Sequence, residues 1–301
     1  MIAAAAMAAA LHGIGALAVV RTAVTVPDGP GQAPAAAAAP RRIVSLVPAL
    51  TEVLFAIGAG PRVVAVSSFD SFPPEVERLP RVGALLDPDT ERILSLRPEL
   101  VLIYGSQSEL QEQFGRARVR TYSYRHGGIE MILRTIGELG VITDRAEAAA
   151  GVVRDLQGRI DRIRARVKGR ARPRVLLVFE RQPRSLREIY ASGGRGFLHE
   201  MLEIAGGENV FADVARESVQ PPLETILARA PEMILEVRAE GLIPARALAG
   251  EREVWSSIGS IPAVRNGRVH FLAGDYLVVP GPRFAAATEA LARVLHPAAF
   301  R

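Results

Sequence analysis

ERILSLRPELVL at residues 91–102 and ETILARAPEMIL at residues 224–235 are two versions of one phrase. Both fit Glu-x-Ile-Leu, three variable residues, then Pro-Glu-[Leu/Met]-[Val/Ile]-Leu; Glu91 matches Glu224 and Pro98 matches Pro231. Each copy predicts a short helix, a proline that stops it, and an apolar run suited to a buried parallel strand. Recurrence 133 positions later implies two similar lobes. A site between two lobes is a binding cleft.

The residues around each copy extend this pattern. In the first half, IVSLV (43–47), VVAVSS (63–68), LVLIY (100–104) and VRTYSY (119–124) predict strands, with helices over 48–60 and 108–116. In the second, PRVLLVF (173–179), MILEV (233–237) and RVHFLAGDY (268–276) predict strands; GGRGFLHEMLEIAGGENVF (193–211) predicts a Gly-rich turn, a helix and a Gly-Gly stop, and further helices are expected around 251–258 and 283–295. Strand–helix alternation implies right-handed crossovers and mostly parallel sheets. Between the halves, Val153, Leu156, Ile160, Ile163 and Val167 recur at 3,4,3,4 spacing, with Asp144 and Glu147 offering a capping box. A helix over 144–168 is roughly 36 Å long at 1.5 Å per residue, enough to act as a stiff strut.

The expected fold class is therefore α/β: two Rossmann-like lobes with mostly parallel sheets, joined by one long rigid α-helix. The expected organisation is an export or anchor segment with a linker over 1–40, a first lobe over 41–143, the connecting helix over 144–170 and a second lobe over 171–301. Residues 1–20 are Ala-rich and hold no Lys or Arg, and a Pro/Gly/Ala spacer follows from Pro27 to Pro40. An apolar segment followed by such a spacer reads as an export signal or an uncleaved anchor. A disordered Ala-rich tail or a misplaced start is the alternative. The expected location is thus periplasmic or extracytoplasmic, with membrane tethering open.

Composition narrows the chemistry. The chain of 301 residues contains no Cys, so disulfides, thiolate metal sites and Cys nucleophiles are excluded. Its net charge is +5 but aromatics are only 5%, which leaves no stacking platform for nucleic acid. Gly-x-Ser-x-Gly is missing, and no spacing of nucleophile and base stands out. Gly194-Arg195-Gly196 hints at a dinucleotide turn, but His199 stands where the third Gly belongs. A nucleotide-dependent oxidoreductase is the rival from another class; the main expectation is a protein that is not an enzyme and needs neither cofactor nor bound metal.

SLVPALTE (45–52), VSSFDSFPPE (66–75), VGALLDPDTERILSLRPELVLIY (82–104), AGGENVFAD (205–213) and ETILARAPEMIL (224–235), in that order, resemble the helical-backbone (type III) substrate-binding proteins of ABC importers. Within that group the chain is most similar to the cobalamin-binding family. The resemblance implies a monomeric receptor that holds a large flat small-molecule ligand between its lobes and hands it to a permease dimer. Cobalamin or another corrinoid is the implied ligand, with haem or a ferric siderophore as alternatives. It also implies permease docking through one acid per lobe, here Glu91 and Glu224. A carboxylate in a helix's first turn also has a purely local use, since it interacts favourably with the helix dipole.

Ligands of parallel α/β sheets sit beyond the carboxyl ends of the strands. That rule selects Pro48, Ala49, Leu50, Phe69, Leu85, Tyr104, His126, Tyr190, Asp275 and Tyr276 as ligand-binding candidates. Phe69, Leu85, Tyr104, Asp275 and Tyr276 fall at positions where the cobalamin-binding family has ligand contacts, while Leu85 and Ser218 replace its Trp residues and Val279 a charged one. His126 reads either as an ordinary loop residue or as a group for haem iron or a propionate. Some of the aromatics read equally well as core residues beneath the loops.

Overall fold

The computed structural model describes residues 38–239 and 248–301. The expected export segment falls almost wholly outside them. Among the described residues, no helix is long and apolar enough to cross a membrane.

The first lobe is a four-stranded parallel sheet in the order β2-β1-β3-β4. Its strands are β1 (Ile43–Ser45), β2 (Val63–Val66), β3 (Leu100–Tyr104) and β4 (Arg120–Tyr124). Around them run α1 (Pro48–Ala56), α2 (Thr90–Ser95), α3 (Ser108–Arg116) and α4 (Ile129–Ile142). β1 and β3 are buried along their paired length, as near-continuous apolar runs in a covered parallel sheet must be. Leu102 and Leu100 face one core cluster while Val101 and Ile103 face another, the period-2 alternation of a strand covered on both sides.

The second lobe has a separate sheet of order β10-β9-β5-β6-β8, with a short β7 also on β5. β5 (Arg174–Glu180), β9 (Met233–Arg238), β10 (Val269–Ala273) and β7 (Glu208–Asn209) pair in parallel. β6 (Tyr190–Ser192) and β8 (Ser218–Val219) add an antiparallel edge that their few residues did not betray. The helices of this lobe are α6 (Gly196–Ile204), α7 (Leu223–Arg229), α8 (Leu248–Ser256), α9 (Pro262–Arg265) and α10 (Phe284–Leu295).

Between the lobes lies α5 (Ala146–Val167). It buries Ala149, Leu156, Ile160 and Ile163 and leaves its charged residues outside. That stripe packs on α4 of the first lobe and on α6 and α10 of the second. One contiguous apolar cluster runs from Ile43 in the first lobe to Leu295 in the second. The start of α5 corrects the expected capping box. Asp144 has φ 52° and its N–H donates to Val141 O, while Arg145 N–H reaches Gly140 O. Asp144 therefore terminates α4 in a left-handed turn and is not available as the cap of α5, whose N-cap is Arg145.

Candidate functional site

The carboxyl ends of the first lobe's strands face the second lobe, and contacts across the gap define the facing rims. Ser71, in the loop after β2, donates its hydroxyl to Asp275 Oδ2 at 2.6 Å in the loop after β10. Glu52, in the second turn of α1, accepts two bonds from Arg283 at 2.6 and 3.0 Å. Arg283 also lies 4.0 Å from the Phe72 ring centroid and 6.0 Å from that of Tyr276. At the far side Glu200, on α6, accepts the Ile129 N–H at 2.7 Å and so caps the N-terminus of α4 from the opposite lobe.

Behind that rim the first lobe presents an aromatic nest. The rings of Tyr104 and His126 stack at 5.4 Å, and Tyr124 meets Tyr104 edge-on at 5.9 Å and His126 at 5.2 Å. Gln107 braces the nest: its side chain accepts Tyr104 N–H and donates to Leu85 O at 2.7 Å. Burial pushes the His126 pKa down to about 4, so its imidazole is neutral at pH 7. Burial also raises both tyrosine hydroxyls above their ordinary range.

Three rim carboxyls, those of Asp70, Glu52 and Glu217, have raised pKa values. Burial raises the Asp70 carboxyl although Ser67 donates to its Oδ2 from both backbone and hydroxyl. Burial raises Glu52 too, against the opposing effect of Arg283. Glu217 is raised by burial and then by the charge of Glu200. Arg283 is engaged by Glu52, and Arg81 donates to the carbonyls of Ser67 and Asp70.

A family model described as "Periplasmic binding protein" matches residues 43–276, well over half of the chain. The chain belongs to the periplasmic binding protein family. The vitamin B12-binding protein of Salmonella typhimurium (strain LT2) is 30% identical over 260 residues, covering 86% of this chain and 91% of that protein. The crystal structure of the periplasmic vitamin B12-binding protein of Vibrio cholerae superposes with a TM-score of 0.72 at 25% identity, covering 86% and 98%. The apo form of a periplasmic haem-binding protein from Roseiflexus sp. RS-1 is equally similar: TM-score 0.72, 25% identity, covering 86% and 99%.

In this periplasmic binding protein the residues expected from sequence distribute unevenly. Tyr104 and His126 share the nest, with Leu85 buried beside it. Asp275 and Tyr276 lie on the facing rim, and Phe69 is half-buried at the turn before Asp70. Ala49 and Leu50 are 3% and 1% exposed and pack in the core, while Pro48 beside them is half-buried. Tyr190 packs on Phe179 within its own lobe. Glu91 and Glu224 are exposed in the first turns of α2 and α7.

The Gly-rich turn loses its nucleotide reading. The N–H groups of Gly193, Gly194 and Arg195 donate to the carbonyls of Glu217, Val214 and Arg216. Any Cβ at Gly193 or Gly194 would stand 2.2 and 2.1 Å from backbone oxygens of Arg216 and Ala212. The glycines admit the chain's own backbone where a phosphate would have to sit.

Glu52, Asp70, Glu200, Glu217 and Arg283 were not singled out from sequence. The dipeptide Thr51-Glu52 sits one turn beyond Pro48, and a carboxylate that deep in an apolar helix was the available signal for a paired charge.

Proposed function

We propose that this periplasmic binding protein is the receptor of an ABC importer and captures cobalamin or a related corrinoid between its lobes. The lobes in this reading are residues 41–143 and 171–301, braced by the segment 144–170. The observation that carries the choice of ligand is the acid-rich pair of rims. Asp70, Glu200, Glu217 and Asp275 belong to the two facing rims, where the Arg283 guanidinium is held by Glu52. Haem would bring two propionates against these carboxylates, and like charges in a poorly solvated gap repel. A corrinoid presents neutral amides around its edge, which donate to carboxylates. Similarity to the vitamin B12-binding proteins supports the same ligand.

A second reading, haem, draws on the neutral imidazole of His126 beside two tyrosines and on the equal likeness to a haem-binding protein. Absorbance titration separates the two. Cyanocobalamin is expected to bind saturably at one site per chain, while haem gives no shifted Soret band. A stoichiometric Soret shift without cyanocobalamin binding would favour haem.

Delivery follows from the two exposed acids. Glu91 and Glu224 occupy corresponding places in the two lobes and meet two like basic pockets on a two-fold permease dimer. The receptor acts as a monomer outside the cytoplasm, with residues 1–40 serving as its export signal or tether.

A further inference from the structure

The positive charge of this chain is concentrated in one place. Residues 154–174, RDLQGRIDRIRARVKGRARPR, hold nine of the 37 Lys and Arg but only two of the 32 Asp and Glu. The rest of the chain, with 28 cations and 30 acids, carries more acids than cations. The segment is the C-terminal part of α5 and the turn into β5, and α5 keeps its apolar stripe inside. Arg154, Arg162, Arg164, Arg166 and Lys168 are exposed on the outward face. Among the described residues, the side chains of Arg154, Arg159, Arg162 and Lys168 have no ion-pair or hydrogen-bond partner.

A solvated helix face ordinarily mixes both signs, and like charges four apart, such as Arg162 and Arg166, weaken a helix. The helix dipole accounts for Arg164 and Arg166 in the last turn but not for Arg154, Arg159 or Arg162. The surroundings of the stripe indicate what meets it. Near its N-terminal end, Arg62 donates from one nitrogen to the carbonyls of Pro40 at 3.4 Å and Thr143 at 2.6 Å. Thr143 lies just before α5, so the chain preceding Ala38 joins the fold close to the start of the helix that carries the stripe. In the tether reading, that is where the membrane anchor attaches. Near the other end, Phe300 lies between Arg166 and Arg293, at 5.2 and 5.3 Å from its ring centroid. Aromatic rings beside cations suit a bilayer–water boundary. A notch of about 510 Å³ there is lined by Arg164, Lys168, Arg170 and Arg172, and Glu203, its one lining acid, is engaged by Arg172.

We propose that this stripe is a docking surface for an anionic phospholipid bilayer, on which the receptor lies by the outward face of α5. A bilayer is the partner that matches a straight row of cations. From Arg154 to Arg166 the helix extends roughly 18 Å at 1.5 Å per residue, and lipid phosphates present a flat sheet of charge to all of it at once. The acidic rims lie at the carboxyl ends of the strands, whereas the stripe ends at Arg174, the amino end of β5. Lipid contact therefore leaves the gap between the rims uncovered. Glu91 and Glu224 begin helices that run back toward the amino ends of β3 and β9. Lying on lipid and docking to the permease thus use different faces. The lipid surface goes beyond the capture of a ligand and does not depend on which ligand fills the gap.

The test offers the full chain two vesicle populations in one mixture, phosphatidylcholine alone and equimolar phosphatidylcholine and phosphatidylglycerol, at about 0.15 M salt. Competition between them cancels what the N-terminal segment contributes to both. Wild type is expected to favour the anionic vesicles by about a hundred-fold, since each cation near such a surface adds roughly a factor of five. Arg154→Gln, Arg159→Gln, Arg162→Gln and Lys168→Gln together should abolish most of that preference and leave melting unchanged. An equal charge loss at exposed first-lobe positions, Arg78→Gln, Arg92→Gln, Arg97→Gln and Arg116→Gln, should preserve it. Equal losses in both sets would show that net charge alone drives the preference and would overturn the surface. A wild type without preference would overturn it outright, and retention of that protein on heparin would assign the stripe to a soluble polyanion instead. No cleft ligand takes part in these measurements, so the corrinoid reading stands or falls separately.

Discussion

Arg181 illustrates how much of this molecule's chemistry is invisible one residue at a time. Its side chain is fully buried between Glu236 at 3.1 Å and Glu251 at 2.7 Å. Glu236 also accepts from the Trp255 indole and from Arg238. Removing one member of such a network strands a buried charge, at a typical cost of about 3–5 kcal/mol. Arg181→Met is therefore expected to lower unfolding free energy in urea by roughly that amount; a change below about 1 kcal/mol would show that the network is solvated. His126 gives a second prediction at this scale. Its pKa falls from an ordinary 6.5 to about 4 on folding, so the unfolded chain takes the proton first. Wild type should lose stability relative to His126→Phe as pH drops from 6.5 toward 4, and the two should run parallel above 6.5. Asp70, whose carboxyl is raised by burial, acts in the opposite sense: its contribution fades as pH rises. Pairs such as Glu52–Arg283 could not be read from sequence, since 231 positions separate partners that only the tertiary fold brings together.

At the scale of elements, the repeated phrase ends its helix more sharply than a proline alone would. Arg97 and Ala230, each directly before the proline, both adopt positive φ, 48° and 45°. A residue before proline is steered away from the helical region, and here both copies go to the left-handed one. Glycine suits that conformation better than either side chain. Ala230→Gly is expected to raise stability by up to about 1 kcal/mol, where the same change inside a helix would cost as much. Thermal or denaturant unfolding checks the sign. The period-2 and 3.6 patterns made β3, α3 and α5 legible because their burial is regular. α4 carries helical spacing in Ile129, Ile132, Ile136 and Leu139, but the Gly127-Gly128 pair before it offers no capping side chain to mark its start. Its N-terminal cap comes from Glu200 on the other lobe, a signal no local window contains. Glu200→Ala should cost about 0.5–2 kcal/mol as a lost cap.

At the scale of the whole molecule, two independent sheets share one apolar core that passes under α4, α5, α6 and α10. That arrangement was legible because an internal repeat and one long amphipathic helix survive in the sequence as simple periodicities. The content of the cleft was less so: rim loops carry no period, and their acids announce themselves only when burial is known. A shared core with a stiff helix at the back favours small rim movements over wide hinge closure. Delivery to a permease is then a matter of matching charges on the outside. Reversing both Glu91 and Glu224 to Arg should leave corrinoid affinity unchanged and abolish co-purification with the permease. Retained association would remove the docking role from these residues.

The most direct measurement of capture between the lobes is backbone hydrogen–deuterium exchange with and without saturating cyanocobalamin. Protection is expected on both sides of the gap, in 69–72, 104–107 and 124–128 of the first lobe and in 217–219 and 274–279 of the second. Protection confined to one lobe, or none in either, would contradict it.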